Sequence, residues 1–313
     1  MPRSIRFVPE EGTLFEITNR TLQGRLLLVP SAELNDIILG VLGRAQRQYK
    51  IRLCAYVFLS NHFHLLARVD DAKQLADFMS YLGSNLAREI ARLTGWNEKV
   101  WARRYQAIAI SDEEGSQIER FTYIISHGVK EFLVERVVDW PGVHCAGALL
   151  ANRPDQGSWF DRTQEYNARH RNESFSARQF ATQETVILDP LPCWQHLPKE
   201  LIRQRVAEIV ESAESDATRA REGLDKVALG AKAVRAQVPT ERPKRVKKSP
   251  APLFHAFTRR VRRELYEAYH QFLAAFRDAA DQLRSGDRSA RFPVGSFPTA
   301  LPFVSSLAPL RSG

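Results

Sequence analysis

The chain has 313 residues, 44% of them hydrophobic, with 45 Lys and Arg against 36 Asp and Glu, a formal charge of +9. This is enough apolar side chain for a sizeable core and two domains. No apolar run approaches the roughly 18 residues of a membrane span, and the opening MPRSIRFVPEEG lacks the apolar stretch of a signal peptide, so a cytoplasmic protein without membrane contact is expected.

Cys54, Cys145 and Cys193 lie far apart without CxxC spacing, which argues against a disulfide framework and against a cysteine zinc site. The positive balance favours a polyanionic partner, because cations that neutralise phosphates release counterions, although many basic proteins use their charge only to stay soluble.

Residues 13 to 19, TLFEITN, alternate apolar and polar and predict a strand. Asn19 and Arg20 open a turn, and a second apolar run, Leu26 to Val29, follows; both runs read as a sheet edge. From Ser31, a capping residue, Leu34, Ile37, Ile38, Val41, Leu42 and Ala45 recur at helical spacing with one buried face. Leu53 to Val69, LCAYVFLSNHFHLLARV, holds two β-rich runs. A second helix then carries Leu75, Phe78, Met79, Leu82, Leu86, Ile90 and Leu93 until Gly95 ends it.

WARRYQAIAI, residues 101 to 110, predicts another strand and leads into the helix-start sequence Ser111-Asp112-Glu113-Glu114. Ile118, Phe121, Ile124 and Ile125 form the apolar stripe of the next helix, and Gly128 sits where a left-handed cap is expected. The order predicts an α+β fold over residues 1–150, a mainly antiparallel sheet with helices packed on it.

Residues 151–236 read as an irregular and helical extension, polar and without clear period from 155 to 183 and helical from Pro198 to about Glu222. Residues 237–252, with four prolines and a basic run, predict an extended linker. Residues 253–313 predict a final helix from Phe254 to about Leu283 and a tail rich in proline and aromatics.

In an extended strand, successive side chains point to opposite faces, so His62 and His64 share one face, about 7 Å apart, with Phe63 on the other. Two imidazoles that close can hold one metal ion. Taken alone, the pair is better read as core histidines bonded to backbone. Tyr123 and His127, four residues apart on the later helix, share a helical face and could bring a phenol and a third imidazole to the same place. Singly, each has a plainer reading: a half-buried core tyrosine, and a histidine favouring the negative end of a helix dipole. Together the plainer readings must explain four polar residues at matched spacings on two elements, which is harder.

NHFHLL after an apolar strand, WARRY, and FTYIISHGVKEFLVERVVDWPGV on the following helix resemble the single-tyrosine HUH transposases, the IS200-like and REP-associated tyrosine transposase superfamily. ITNR and RLCAYVFLSNHFHLLARV are similar to that family's first strand and strand pair, so the resemblance spans roughly residues 5 to 150.

The resemblance implies a ferredoxin-like or RRM-like palm, His62 and His64 as metal ligands and Tyr123 as nucleophile. It places His127 where the family often has a Gln or Asn ligand. The implied cofactor is a divalent metal, Mg or Mn, although three histidines suit Mn or Zn better than Mg. The implied chemistry is cleavage and transfer of single-stranded DNA, at hairpin ends or repeats, through a 5′-phosphotyrosine. Because the family includes dimers and monomers, a homodimer is one expected assembly.

Candidate phosphate contacts are Arg20, Arg103, Arg104, Lys130 and Arg136 near the site, and farther along Lys244, Arg245, Lys247, Lys248, Arg259 and Arg260. Exposed basic residues are mostly just solvated. Trp101, Tyr105 and Trp140 are candidates to stack on unpaired bases, though large aromatics are more often core. Three other functions compete: a rolling-circle or relaxase-type nickase, a nucleic-acid-binding module that has lost catalysis, and a zinc hydrolase, for which no further ligand pair is evident.

Overall fold

The computed structural model describes residues 5–171, 175–243 and 251–297. Its centre is β1 (Thr13–Arg20), α1 (Ala32–Tyr49), β2 (Arg52–Leu59), β3 (His62–Val69), α2 (Ala72–Thr94) and β4 (Gln106–Ile110). These strands lie side by side in the order β2-β3-β1-β4, each antiparallel to its neighbour, which is the split β-α-β arrangement of a ferredoxin-like palm.

The helix ends follow local chemistry. Ser31 Oγ accepts from the Leu34 N–H at 3.1 Å to start α1. Asp71 does the same for Gln74 at 2.8 Å to start α2, and Gly95, at φ +66°, closes it.

Three expectations are corrected here. β1 is central rather than at an edge, paired with β3 on one side and β4 on the other, and Leu26 to Val29 form a buried turn instead of a strand. Of the strand expected over 101–110 only Gln106–Ile110 is regular: Trp101 makes an isolated bridge to Thr21 and donates its indole N–H to Gly83 O of α2 at 2.8 Å, and residues 102–104 bend between the bridge and the strand. The third helix breaks at Ser126 into α3 (Glu114–Ile125) and α4 (His127–Lys130). Gly128 lies inside α4 under Val134 and Trp140, and the left-handed residue is Phe132 at φ 56°.

The sheet is covered on both faces. Phe63 points toward α2, with its ring 5.5 Å from Trp101, whereas His64 faces α3, 5.4 Å from the Tyr123 ring. Beyond α5 (Ala146–Ala151), the region expected to be irregular contains β5 (Asp155–Phe160), α6 (Arg162–His170) and β6 (Ala181–Val186). β5 and β6 form an antiparallel pair laid on α1, clasped by Glu184, which is buried and accepts from Arg44 and Arg47 at 2.8 Å each. The polarity that hid these strands is their outer face: Gln156 and Gln183 are exposed.

α7 (Lys199–Gly223) matches its predicted span and packs on α3, α4 and α5, and α8 (Ala231–Arg235) follows. The expected linker is anchored at its start, where Ser60 Oγ donates to Gln237 Oε1 at 2.7 Å and the Leu26 N–H to Glu241 O at 3.3 Å. The final helix begins later than predicted: Phe254–His255 is β7, added parallel to β4, and α9 spans Arg259–Arg284. No helix among the described residues is long and apolar enough to cross a membrane.

Candidate active site

The alternation of β3 puts His62 and His64 on the sheet face crossed by α3 and α4. Register with β1 sets Arg20 beside His62 and Thr18 beside His64, with Glu16 one step farther on the same face. The rings of His62 and His64 tilt together to 5.1 Å between centroids, closer than the strand repeat alone predicts. From above, His127 reaches within 5.1 Å of His62 and 4.7 Å of His64, and Tyr123 lies 4.9 Å from His127. The break at Ser126 keeps these two residues on one side even though they belong to consecutive short helices.

Hydrogen bonds behind the histidines aim them. His62 Nδ1 lies 2.6 Å from Asn61 Oδ1, and His64 Nδ1 lies 2.9 Å from Glu16 Oε1. Acceptors at both Nδ1 atoms require N–H there and leave each Nε2 lone pair turned toward the cluster. His62 Nε2 faces His127 Nε2 at 3.1 Å, while His127 Nδ1 is buried without a hydrogen-bond partner. One donor nitrogen from each of the three histidines can be chosen so that all lie within 4.8 Å of one another. Converging imidazole nitrogens of this kind fit a divalent cation with nitrogen ligands.

Burial pushes the His127 imidazole well below the usual histidine range, and the charge of His64 adds to the effect. The Glu16 carboxyl moves the other way from what burial alone would do: the neighbouring His255 imidazole and the hydrogen bond from His64 hold it well below the carboxylate range. Nearby, desolvation pushes the imidazole of the half-buried His144 down to about 4. An unfolded chain binds a proton at His144 near pH 6.5 while the folded protein does not until about 4. Stability should therefore fall as pH drops through that interval, by on the order of 3 kcal/mol from this residue. Denaturant midpoints of the metal-free protein at pH 7 and pH 4.5 measure the slope, and His144→Leu should flatten it.

Tyr123 is half-buried, and burial, with the charges of Glu16 and Glu131, raises its phenol above the ordinary value, while Arg120 opposes this. Two cations flank the ring, Arg120 with Cζ at 4.8 Å and Lys130 with Nζ at 5.0 Å. Lys130 is among the residues expected to contact DNA. Arg120, Asn61 and Glu16 are not, although Arg120 lies three residues before Tyr123 and so one helical turn away, a spacing legible in the sequence.

The other candidates are dispersed. Arg20 is half-buried, its guanidinium pushed down by burial against the opposing charge of Glu131. Arg103, Arg104 and Arg136 are exposed, the first two beside a groove of about 1540 Å³ that Trp101, Tyr105 and Tyr269 also line. Trp101 and Trp140 have structural roles: Trp140 is buried and donates to Phe58 O at 3.0 Å. Arg259 and Arg260 are exposed at the start of α9, and Arg260 pairs with Glu264 at 3.1 Å. Lys244, Arg245, Lys247 and Lys248 lie outside the described residues.

Residues 29–126 match the IS200-like transposase family. The IS200-like segment contains His62, His64 and Tyr123 and stops one residue short of His127; Glu16 and β7 lie outside it.

A REP-associated tyrosine transposase solved with a REP hairpin is 21% identical over 48% of this chain and 86% of its own, with a TM-score of 0.38. A candidate transposase of Deinococcus radiodurans R1 is 19% identical over 39% of this chain and 95% of its own, with a TM-score of 0.28. No curated protein matches the chain.

Proposed function

We propose that this chain is a metal-dependent DNA strand transferase that cleaves and rejoins single-stranded DNA through a 5′-phosphotyrosine on Tyr123. The observation that carries the reading is the convergence of His62, His64 and His127 within ligand distance of one another, with the Tyr123 ring 4.9 Å from His127. When bound by these histidines, a divalent cation, Mg or Mn, supplies positive charge to a non-bridging phosphate oxygen as charge develops there.

Tyr123 Oη gives up its proton and attacks the phosphorus. The P–O3′ bond breaks, and the leaving 3′ oxygen takes up a proton as a free hydroxyl. Arg120 and Lys130, on either side of the phenol, offset both its buried anion and the phosphate charge. The bond retained on Tyr123 lets a second 3′-hydroxyl reverse the step and join strands. We assign Arg20, beside His62 at the end of β1, to the DNA backbone along with Lys130 and the exposed Arg103 and Arg104. Lys244, Arg245, Lys247, Lys248, Arg259 and Arg260 supply sequence-independent attraction. The partner is single-stranded DNA at hairpin ends or repeats, and residues 1–150 form the catalytic unit of a cytoplasmic protein that works as a monomer or a homodimer.

The test uses a labelled single strand carrying a hairpin, with Mn²⁺ and the full chain. A denaturant-stable protein–DNA adduct should form and should vanish in Tyr123→Phe. An adduct that survives Tyr123→Phe refutes the nucleophile, and salt-sensitive binding with no adduct identifies a binding module that lacks catalysis.

A further inference from the structure

Behind His64, on the side away from the cluster, Glu16 is buried at 6% exposure. Its Oε1 is 2.9 Å from His64 Nδ1. Its Oε2 lies 3.0 Å from His255 Nε2, an ion-pair distance off the line of a hydrogen bond, and 3.6 Å from an Arg120 guanidinium nitrogen. His255 belongs to β7 near the far end of the chain, and its place is set by backbone: Ile110 is its register partner, and the Ser111 N–H donates to His255 O at 2.8 Å. Just beyond, Glu113 accepts from the Phe257 and Thr258 N–H groups at 2.8 and 3.1 Å. A strand of two residues is thus paired along β4 and pinned just beyond its C-terminal end, with its histidine against a carboxylate that itself holds a candidate metal ligand.

We propose that Glu16 is a positioning residue that holds His64 as the Nδ1–H tautomer with Nε2 turned to the cluster, and that β7, through His255, completes this support. The proposal rests on the reading of the three histidines as a ligand set. A metal-binding histidine needs its other nitrogen fixed, because the wrong tautomer presents an N–H where a lone pair is required. A carboxylate serves best when it is itself held, and Glu16 is held from the other side by an imidazole and a guanidinium drawn from two different elements. Removing such an outer partner typically weakens metal binding by roughly 10- to 100-fold. The C-terminal region, outside the IS200-like segment, would then act on the metal site directly as well as through the DNA.

Mn²⁺ titration of the full-length protein by calorimetry tests this, alongside long-range ¹H–¹⁵N spectra of the metal-free histidines. Glu16→Gln should raise the Mn²⁺ dissociation constant by roughly 10- to 100-fold, and His255→Gln by several-fold, within that range's lower part. In both variants His64 should lose its pure Nδ1–H signature. If Glu16→Gln does not fold, His255→Gln, on a sheet edge, decides alone. Wild-type affinity and tautomer in the folded variants, with Mn²⁺ binding lost in His64→Ala, overturn the positioning role and leave the ligand set intact. Wild-type protein that takes up no Mn²⁺, or a His64→Ala variant that binds as wild type does, overturns the ligand set and this proposal with it.

Discussion

Replacing His127 with alanine should lower Mn²⁺-dependent adduct formation at limiting metal by about 100-fold or more, while costing the metal-free fold less than about 2 kcal/mol. The two effects separate for a physical reason. In the metal-free protein His127 stabilises little: it is buried, its Nδ1 has no partner, and its Nε2 faces another imidazole nitrogen at 3.1 Å. Its removal leaves a small cavity but also relieves an unsatisfied polar atom, and these terms oppose each other. Adduct yield against Mn²⁺ concentration, together with urea denaturation, checks both halves. Activity equal to wild type at every metal concentration would make His127 a structural residue. His64→Ala should differ, losing activity and stability together, because it leaves the buried Glu16 carboxylate without its hydrogen-bonded partner.

Gly40→Ala should destabilise the protein by about 3 kcal/mol or more, although alanine in a helix is intrinsically better by about 1 kcal/mol. A Cβ at position 40 would lie 2.1 Å from the backbone C and O of Ser158, and one at Gly157 would lie 2.2 Å from Asp36 O. α1 and β5 therefore touch backbone to backbone, and neither side can yield by rotating a side chain. Relief requires the β5–β6 pair to lift from α1, which would also strain the Arg44 and Arg47 contacts to Glu184. Gly147→Ala on α5 is the control, since nothing lies within 4 Å of its added methyl, and it should be neutral or slightly stabilising. Thermal denaturation of both variants tests the pair; a Gly40→Ala protein as stable as wild type would mean that the hairpin is not seated on α1 as described.

The parts of the molecule that were legible in the sequence are those where local pattern and tertiary demand agree. The stripe from Leu34 to Ala45 is α1 and the stripe from Leu75 to Leu93 is α2, with Ser31 starting the first and Gly95 ending the second. The order of the elements was enough to give the palm, because short connections and a buried sheet leave few alternatives. His62, His64 and Tyr123 were readable as a set because a strand period and a helix turn each place residues on a face before any contact is known.

What sequence could not supply is whatever depends on distant segments meeting. β5 and β6 look polar because only their inner faces, against α1, are covered, and a two-residue strand such as β7 has no period to detect. Gly128 looked like a cap because glycine is permissive, but it lies inside α4, where an added methyl would make only ordinary contact with Val134 and Trp140, and the left-handed turn falls at Phe132. By itself, then, the sequence determined the palm and the identity of three imidazoles and a phenol. The tertiary structure alone decided that the three imidazoles converge and that Asn61 and Glu16 stand behind two of them. It also brought His255, nearly two hundred residues after His64, to stand behind the same carboxylate, because hydrogen-bond direction and side-chain reach are set by the register of strands that are remote in the chain.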